Sequence, residues 1–111
     1  MTVSFRTSHL LKTCNSVQAL VREYGPKNAK RIAIRMAVLF AAPNLAAVPK
    51  SKPDRCHPLK GTRDGQFAVD LEHPFRLVFS PDHDPVARSE DGSIDMSQVT
   101  AIKIQEVEDY H

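Results

Sequence analysis

The sequence predicts an α+β domain: an N-terminal helical hairpin packed on one face of a twisted antiparallel sheet. Three observations carry this expectation. Apolar residues follow a helical period as far as Pro43, they alternate from Gln66 to Phe79, and Gly25-Pro26 divides the helical half. The 111 residues suffice for a single domain, 1–111, built around one core.

Val3-Ser4-Phe5 reads as a short first strand, and Ser8 offers a helix N-cap. Leu10, Cys14, Val17, Val21 and Tyr24 then recur at intervals of four and three, with Leu20 beside them, which is one stripe of an amphipathic helix. Gly25 suits the C-cap of that helix and Pro26 the first turn of the next. In the second helix Ala29, Ile32, Ala33, Met36, Leu39 and Phe40 form the expected buried stripe. Lys27, Lys30, Arg31 and Arg35 form the expected solvated face, and Pro43 ends the helix. A break this short implies an antiparallel pair of helices.

Beyond a connector rich in proline and lysine, residues 43–54, come Cys56-His57-Pro58-Leu59-Lys60 and the turn glycines Gly61 and Gly65. Phe67, Val69 and Leu71 alternate with Ala68 and Asp70, and Phe75, Leu77 and Phe79 with Arg76 and Val78. His73-Pro74 joins the two runs, so they read as a hairpin. Residues 81–98 are polar and read as a long loop. Thr100–Val107 reads as a last strand, with Ile102 and Ile104 facing together. Helices on one face leave the other face open for function, and strict alternation assigns Arg76, Lys103 and Gln105 to it.

The net charge of +2 permits a nucleic-acid partner without demanding one. Cys14 and Cys56 show no Cys-x-x-Cys spacing, so neither a zinc nor a thioredoxin-type site is expected, and no cofactor is implied. The first residues lack the apolar run of a signal peptide, and 36–42 is too short to span a bilayer, so a cytoplasmic protein is expected. Three clusters hold groups suited to RNA chemistry: His57 with Lys60, Arg76, and the trio Asp109, Tyr110 and His111. Metal-free RNA cleavage needs a base for the ribose 2′-hydroxyl, an acid for the leaving 5′-oxygen and a fixed cation on the phosphate. Histidine as a residue type suits the first two and the guanidinium fork the third. A tyrosine can stack on a base.

Cys56-His57-Pro58-Leu59-Lys60-Gly61, Gly65-Gln66-Phe67-Ala68-Val69, Phe75-Arg76-Leu77-Val78-Phe79 and Asp109-Tyr110-His111, in that order, resemble the HigB branch (plasmid maintenance killer proteins) of the RelE/ParE toxin superfamily. The Tyr24-Gly25-Pro26 helical hairpin fits the same resemblance. It implies a RelE-like fold and a ribosome-dependent, metal-independent endoribonuclease that cuts mRNA codons and leaves a 2′,3′-cyclic phosphate. It also implies a helix-turn-helix antitoxin of the HigA type as partner, besides ribosome and mRNA, with operator DNA bound only through the antitoxin complex. By motif, His57 matches an active-site histidine, Lys60 a lysine near the phosphate and Arg76 the transition-state arginine. Asp109, Tyr110 and His111 match the catalytic C-terminal trio, with His111 or Asp109 expected as base. The loop at 81–98 is long for this family.

Other readings stand beside this one. A ParE-like gyrase inhibitor shares the fold but has no use for acid–base groups, and a non-catalytic remnant would act as a binding module. Residue by residue, Arg76 could pair with Asp70 or Glu72, Lys60 could be a solvated turn lysine, and Cys56-His57 could meet His73 or His83 around a metal.

Overall fold

The computed structural model describes residues Met1–Tyr110. Its first strand, β1 (Thr2–Phe5), leads into α1 (Ser8–Cys14). The N-cap is Thr7 rather than Ser8: the Thr7 hydroxyl accepts from the Leu10 amide at 3.1 Å. The long helix expected from 8 to 24 is divided at Asn15-Ser16. Ser16 caps a new helix, α2 (Val17–Ala41), its hydroxyl accepting from the Ala19 amide at 3.2 Å. This break resets the helical phase. Leu10 and Leu20 are buried as expected, whereas Val17 is 74% exposed and Val21 also faces solvent.

Gly25 interrupts α2 with φ 83° and ψ 164°, a backbone region that residues with a Cβ rarely enter, so 17–24 and 26–41 meet at a kink. Beyond it the buried stripe is Asn28, Ala29, Ile32, Arg35, Met36 and Leu39. Two expectations fail here. Ala33 and Phe40 are exposed, and Arg35, expected in solvent, is among the most buried polar residues. Its Nε donates to the Asp70 carbonyl at 2.7 Å and its Nη2 to the Pro53 carbonyl at 3.2 Å. Asp54 supplies a carboxylate at 3.6 Å. Arg35 therefore ties the connector to the sheet, which a stripe of aliphatic residues alone would not do.

The sheet has five strands in the order β1-β5-β4-β3-β2, where β2 is His57–Pro58, β3 Phe67–Asp70, β4 Phe75–Pro81 and β5 Ala101–Asp109. Neighbours from β2 to β5 are antiparallel, and β1 joins β5 in parallel, so the sheet is mixed. The α+β layering is the expected one. Phe67, Val69, Leu71, Leu77, Phe79, Ile102 and Ile104 share one core with Leu10, Leu20, Ile32, Met36 and Leu39 from the helices. The opposite face carries only a small apolar cluster of Leu59, Ala68 and Val78.

A register shift between Val78 and Phe79 sets the phase of β5. Ile104 pairs with Phe79, but Glu106 pairs with Val78, so Gln105 is an extra residue. Ile104 and Val107, three residues apart, consequently both meet the helix-side core, and Glu106 and Glu108 emerge on the open face. Residues 81–98 are an ordered excursion rather than a bare loop. Arg88 bridges to Ile94, Met96–Gln98 form a 3-10 turn, and Val86, Ile94 and Met96 pack on the core. No helix among the described residues is long and apolar enough to cross a membrane.

Candidate active site on the open face of the sheet

Two rows of side chains cross the open face. The register places His57, Ala68, Val78 and Glu106 in one row and Asp70, Arg76 and Glu108 in the next. Arg76 and His57 lie two strands and one row apart, so their Cα atoms are about 12 Å from each other. Ala68 and Val78, both short, form the floor between them. Long side chains from the two ends of that floor can converge on one phosphate.

His57 is half-buried, and its Nδ1–H donates to the Arg55 carbonyl at 2.7 Å. A carbonyl can only accept, so in the neutral ring the proton sits on Nδ1 and Nε2 carries the lone pair. Arg55 enables this contact with a φ of 47°, an unusual value for a non-glycine residue, where the chain turns into β2. Its guanidinium also forms two hydrogen bonds with Asp70, at 2.6 and 2.9 Å. Those bonds raise its pKa above the ordinary arginine value.

Arg76 is mostly buried on the open face and pairs with Glu108 at 3.3 Å, not with Asp70 or Glu72. Asp70 is taken by Arg55 and Glu72 by Arg31. The Tyr110 ring covers the Arg76 guanidinium, 4.5 Å from ring centroid to carbon, and stands edge-on to His73 at 6.3 Å. The Tyr110 amide donates to the Pro74 carbonyl at 3.2 Å, which holds the ring in place. Arg76 and Tyr110 therefore form one unit, with His57 on the same face.

The other expected site residues are less tightly gathered. Lys60 is exposed where β2 gives way to the turn Gly61–Arg63, and it forms no ion pair with another described residue. Asp109 pairs in register with Phe75, whose ring packs on the helix side, so Asp109 shares that face and not the face of Arg76. His111 lies outside the described residues.

Residues absent from the sequence reading complete the electrostatics. Arg63 binds Glu106 at 2.9 Å through Nη2 and Glu108 at 2.7 Å through Nε, and its Nη1 donates to Gln66. Across this face three guanidinium groups, of Arg55, Arg63 and Arg76, meet three carboxylates, of Asp70, Glu106 and Glu108. One sequence signal pointed to the glutamates. Strict alternation from Ile102 and Ile104 would bury Glu106 and expose Val107, a conflict that a bulge resolves.

No group of three or more metal-ligating side chains occurs among the described residues. His83 Nε2 accepts from the Thr100 and Ala101 amides at 3.1 and 3.3 Å, so its lone pair is engaged. Cys56 is buried in the core, which pushes its thiol pKa up to about 11. A cleft of about 330 Å³ lies between the 88–96 segment and the start of β3, lined by Leu59, Gln66, Phe67, Arg88, Ile94 and Met96. Arg76 and Tyr110 do not line it.

No protein-family model and no curated protein matches the sequence. Solved structures do match its fold. A YoeB/ParE toxin from Agrobacterium tumefaciens is similar with a TM-score of 0.57 at 12% identity, over 100% of both chains. A YoeB-YefM complex from Staphylococcus aureus is similar with a TM-score of 0.56 at 15% identity, over 100% of this chain and 97% of that one. Two helices packed on a five-stranded mixed sheet is thus a fold this chain shares with these solved toxin structures.

Proposed function

We propose that the chain is the toxin of a type II toxin-antitoxin pair, of the HigB kind, and acts as a ribosome-dependent, metal-independent endoribonuclease on mRNA. The observation that carries this reading is the Arg76–Tyr110 unit on the same open sheet face as His57. Arg76 binds the scissile phosphate and stabilises the charge that develops as the ribose 2′-oxygen attacks phosphorus. Tyr110 orients Arg76 and offers a ring edge to a nucleobase. His57 Nε2 and His111 exchange the two protons, one taken from the 2′-hydroxyl and one given to the departing 5′-oxygen, leaving a 2′,3′-cyclic phosphate. The register favours a histidine over Asp109 as base, and Asp109 then supports the C-terminal segment. Lys60 attracts the RNA backbone at the rim of the site.

The partner is an antitoxin, in keeping with the fold similarity to a toxin in a YoeB-YefM complex. We place it in the HigA-like helix-turn-helix class, contacting operator DNA on behalf of the pair. A second reading, gyrase inhibition, draws on the ParE in the name of one similar structure and on the pairing of Arg55, Arg63 and Arg76 with carboxylates.

The test is induced expression in bacteria followed by mapping of mRNA 5′ ends, with Arg76→Ala as control. Growth arrest with new cuts inside translated codons, both lost in a folded Arg76→Ala protein, is the expected result. Arrest without cuts would transfer the assignment to the gyrase reading, and the absence of arrest would reject toxin activity altogether.

A further inference from the structure

The Glu108 carboxylate bridges two guanidinium groups, those of Arg63 and Arg76. Oε2 lies 2.7 Å from Arg63 Nε and 3.4 Å from Arg76 Nη2, and Oε1 lies 3.3 Å from the same Arg76 Nη2. A carboxylate held in this way has the charge and the forked acceptor geometry of a phosphodiester's two free oxygens. The arrangement leaves Arg76 poorly satisfied. Its Nε–H is buried without an acceptor among the described residues, while Tyr110 covers the guanidinium face. Arg63 is anchored independently, by Glu106 and Gln66, and so keeps its position if Glu108 departs.

We propose that Arg63 and Arg76 together form a two-guanidinium site for one phosphate of a single-stranded RNA, and that Glu108 occupies this site until the RNA displaces it. The inference rests on the ribonuclease reading for its choice of ligand. It adds Arg63 as a phosphate-binding residue and makes Glu108 an internal competitor. Displacement exchanges one anion for another on the same two cations. The intrinsic affinity of the chain for RNA is therefore low, and binding depends on further contacts that an RNA presented in a fixed conformation can supply. The register makes this possible. The bulge at Gln105 turns Glu106 and Glu108 to the open face, and Glu108 lies directly opposite Arg76.

The experiment measures binding of a fluorescent single-stranded 2′-O-methyl RNA, which cannot be cleaved, to the intact chain by anisotropy. Glu108→Gln keeps the shape and removes the competing charge. It should tighten binding by about fivefold or more, the scale of one ion pair on a partly exposed surface. Glu90→Gln, at an exposed position within the 81–98 segment, controls for net charge and should have little effect. Adding Arg63→Ala to Glu108→Gln should abolish the gain. In the otherwise unchanged chain, Arg63→Ala alone should weaken binding, which provides an arm independent of whether Glu108→Gln folds. Unchanged or weaker binding by folded Glu108→Gln, a gain equalled by Glu90→Gln, or indifference of binding to Arg63→Ala would each overturn the proposal. Its failure is separable from that of the ribonuclease reading. Codon cuts in cells without a Glu108 effect overturn this proposal and leave the ribonuclease reading standing, whereas an Arg63-dependent gain without cuts leaves an RNA-phosphate site on a protein that is not a nuclease.

Discussion

Arg35 is the buried group whose removal should be felt furthest. The perturbation is Arg35→Met, which keeps most of the side-chain volume and removes every donor. In the native chain this guanidinium serves the Asp70 carbonyl at 2.7 Å, the Pro53 carbonyl at 3.2 Å and the Asp54 carboxylate at 3.6 Å, with its side chain 4% exposed. Each hydrogen bond from a charged donor contributes about 1.5–3 kcal/mol, and breaking a buried ion pair from one side costs about 3–5 kcal/mol. These figures describe one group and overlap, and methionine packing recovers part of the loss, so a cost of about 3 kcal/mol is expected. With a urea dependence of about 1.5 kcal/mol per molar for a domain of this size, the unfolding midpoint should fall by about 2 M. Equilibrium urea unfolding followed by far-ultraviolet circular dichroism measures it. Adding Asp54→Asn should recover some of the stability, because that carboxylate no longer lies buried without a cation. A midpoint within about 0.5 M of the parent would refute the argument, since a solvated arginine is worth no more than that. The loss should also reach the site, because the connector that Arg35 holds at Pro53 and Asp54 leads directly into Arg55 and His57.

Three further outcomes follow from local physics. Ser16→Ala should destabilise the fold by about 1 kcal/mol in the same assay, because it removes the cap that starts α2; an unaffected midpoint would contradict a helix break at that point. Gly25→Ala should cost about 1–3 kcal/mol although a Cβ there meets no neighbour, because the penalty lies in the backbone region alone. Burial pushes the Cys14 and Cys56 thiols from 9.0 up to about 11, so the unfolded chain ionises first as pH rises. Their contribution to stability is complete below about pH 9 and is lost between about pH 9 and 11; the pH dependence of the urea midpoint, compared with Cys14→Ala/Cys56→Ala, checks this.

The strands from 67 to 79 were legible because alternation is a direct consequence of the pleat. Phe67, Val69, Leu77 and Phe79 are buried together, and Arg76 stands on the other face. The helices were legible in extent but not in phase. Asn15-Ser16 is a cap signal hidden inside a heptad-like stripe, and one short break there was enough to leave Val17 and Val21 in solvent. Arg35 was misplaced for a related reason. A cation on a helix reads as solvated unless its partners are known, and these partners are main-chain carbonyls of Pro53 and Asp70, which carry no side-chain signature.

By itself, the sequence determined the layering, the β3-β4 hairpin and the presence of Arg76 away from the apolar stripe, because hydrophobic periodicity is a local property of the chain. Tertiary structure decided what those residues meet. Parallel pairing of β1 with β5, the bulge at Gln105 and the separation of Asp109 from Arg76 are matters of pairing between distant segments, and the bulge changes the face of the side chains after it. The clamp of Arg63 and Arg76 on Glu108 joins three segments that only the folded sheet brings together, so which cation meets which carboxylate on the open face was decided only when the strands were paired.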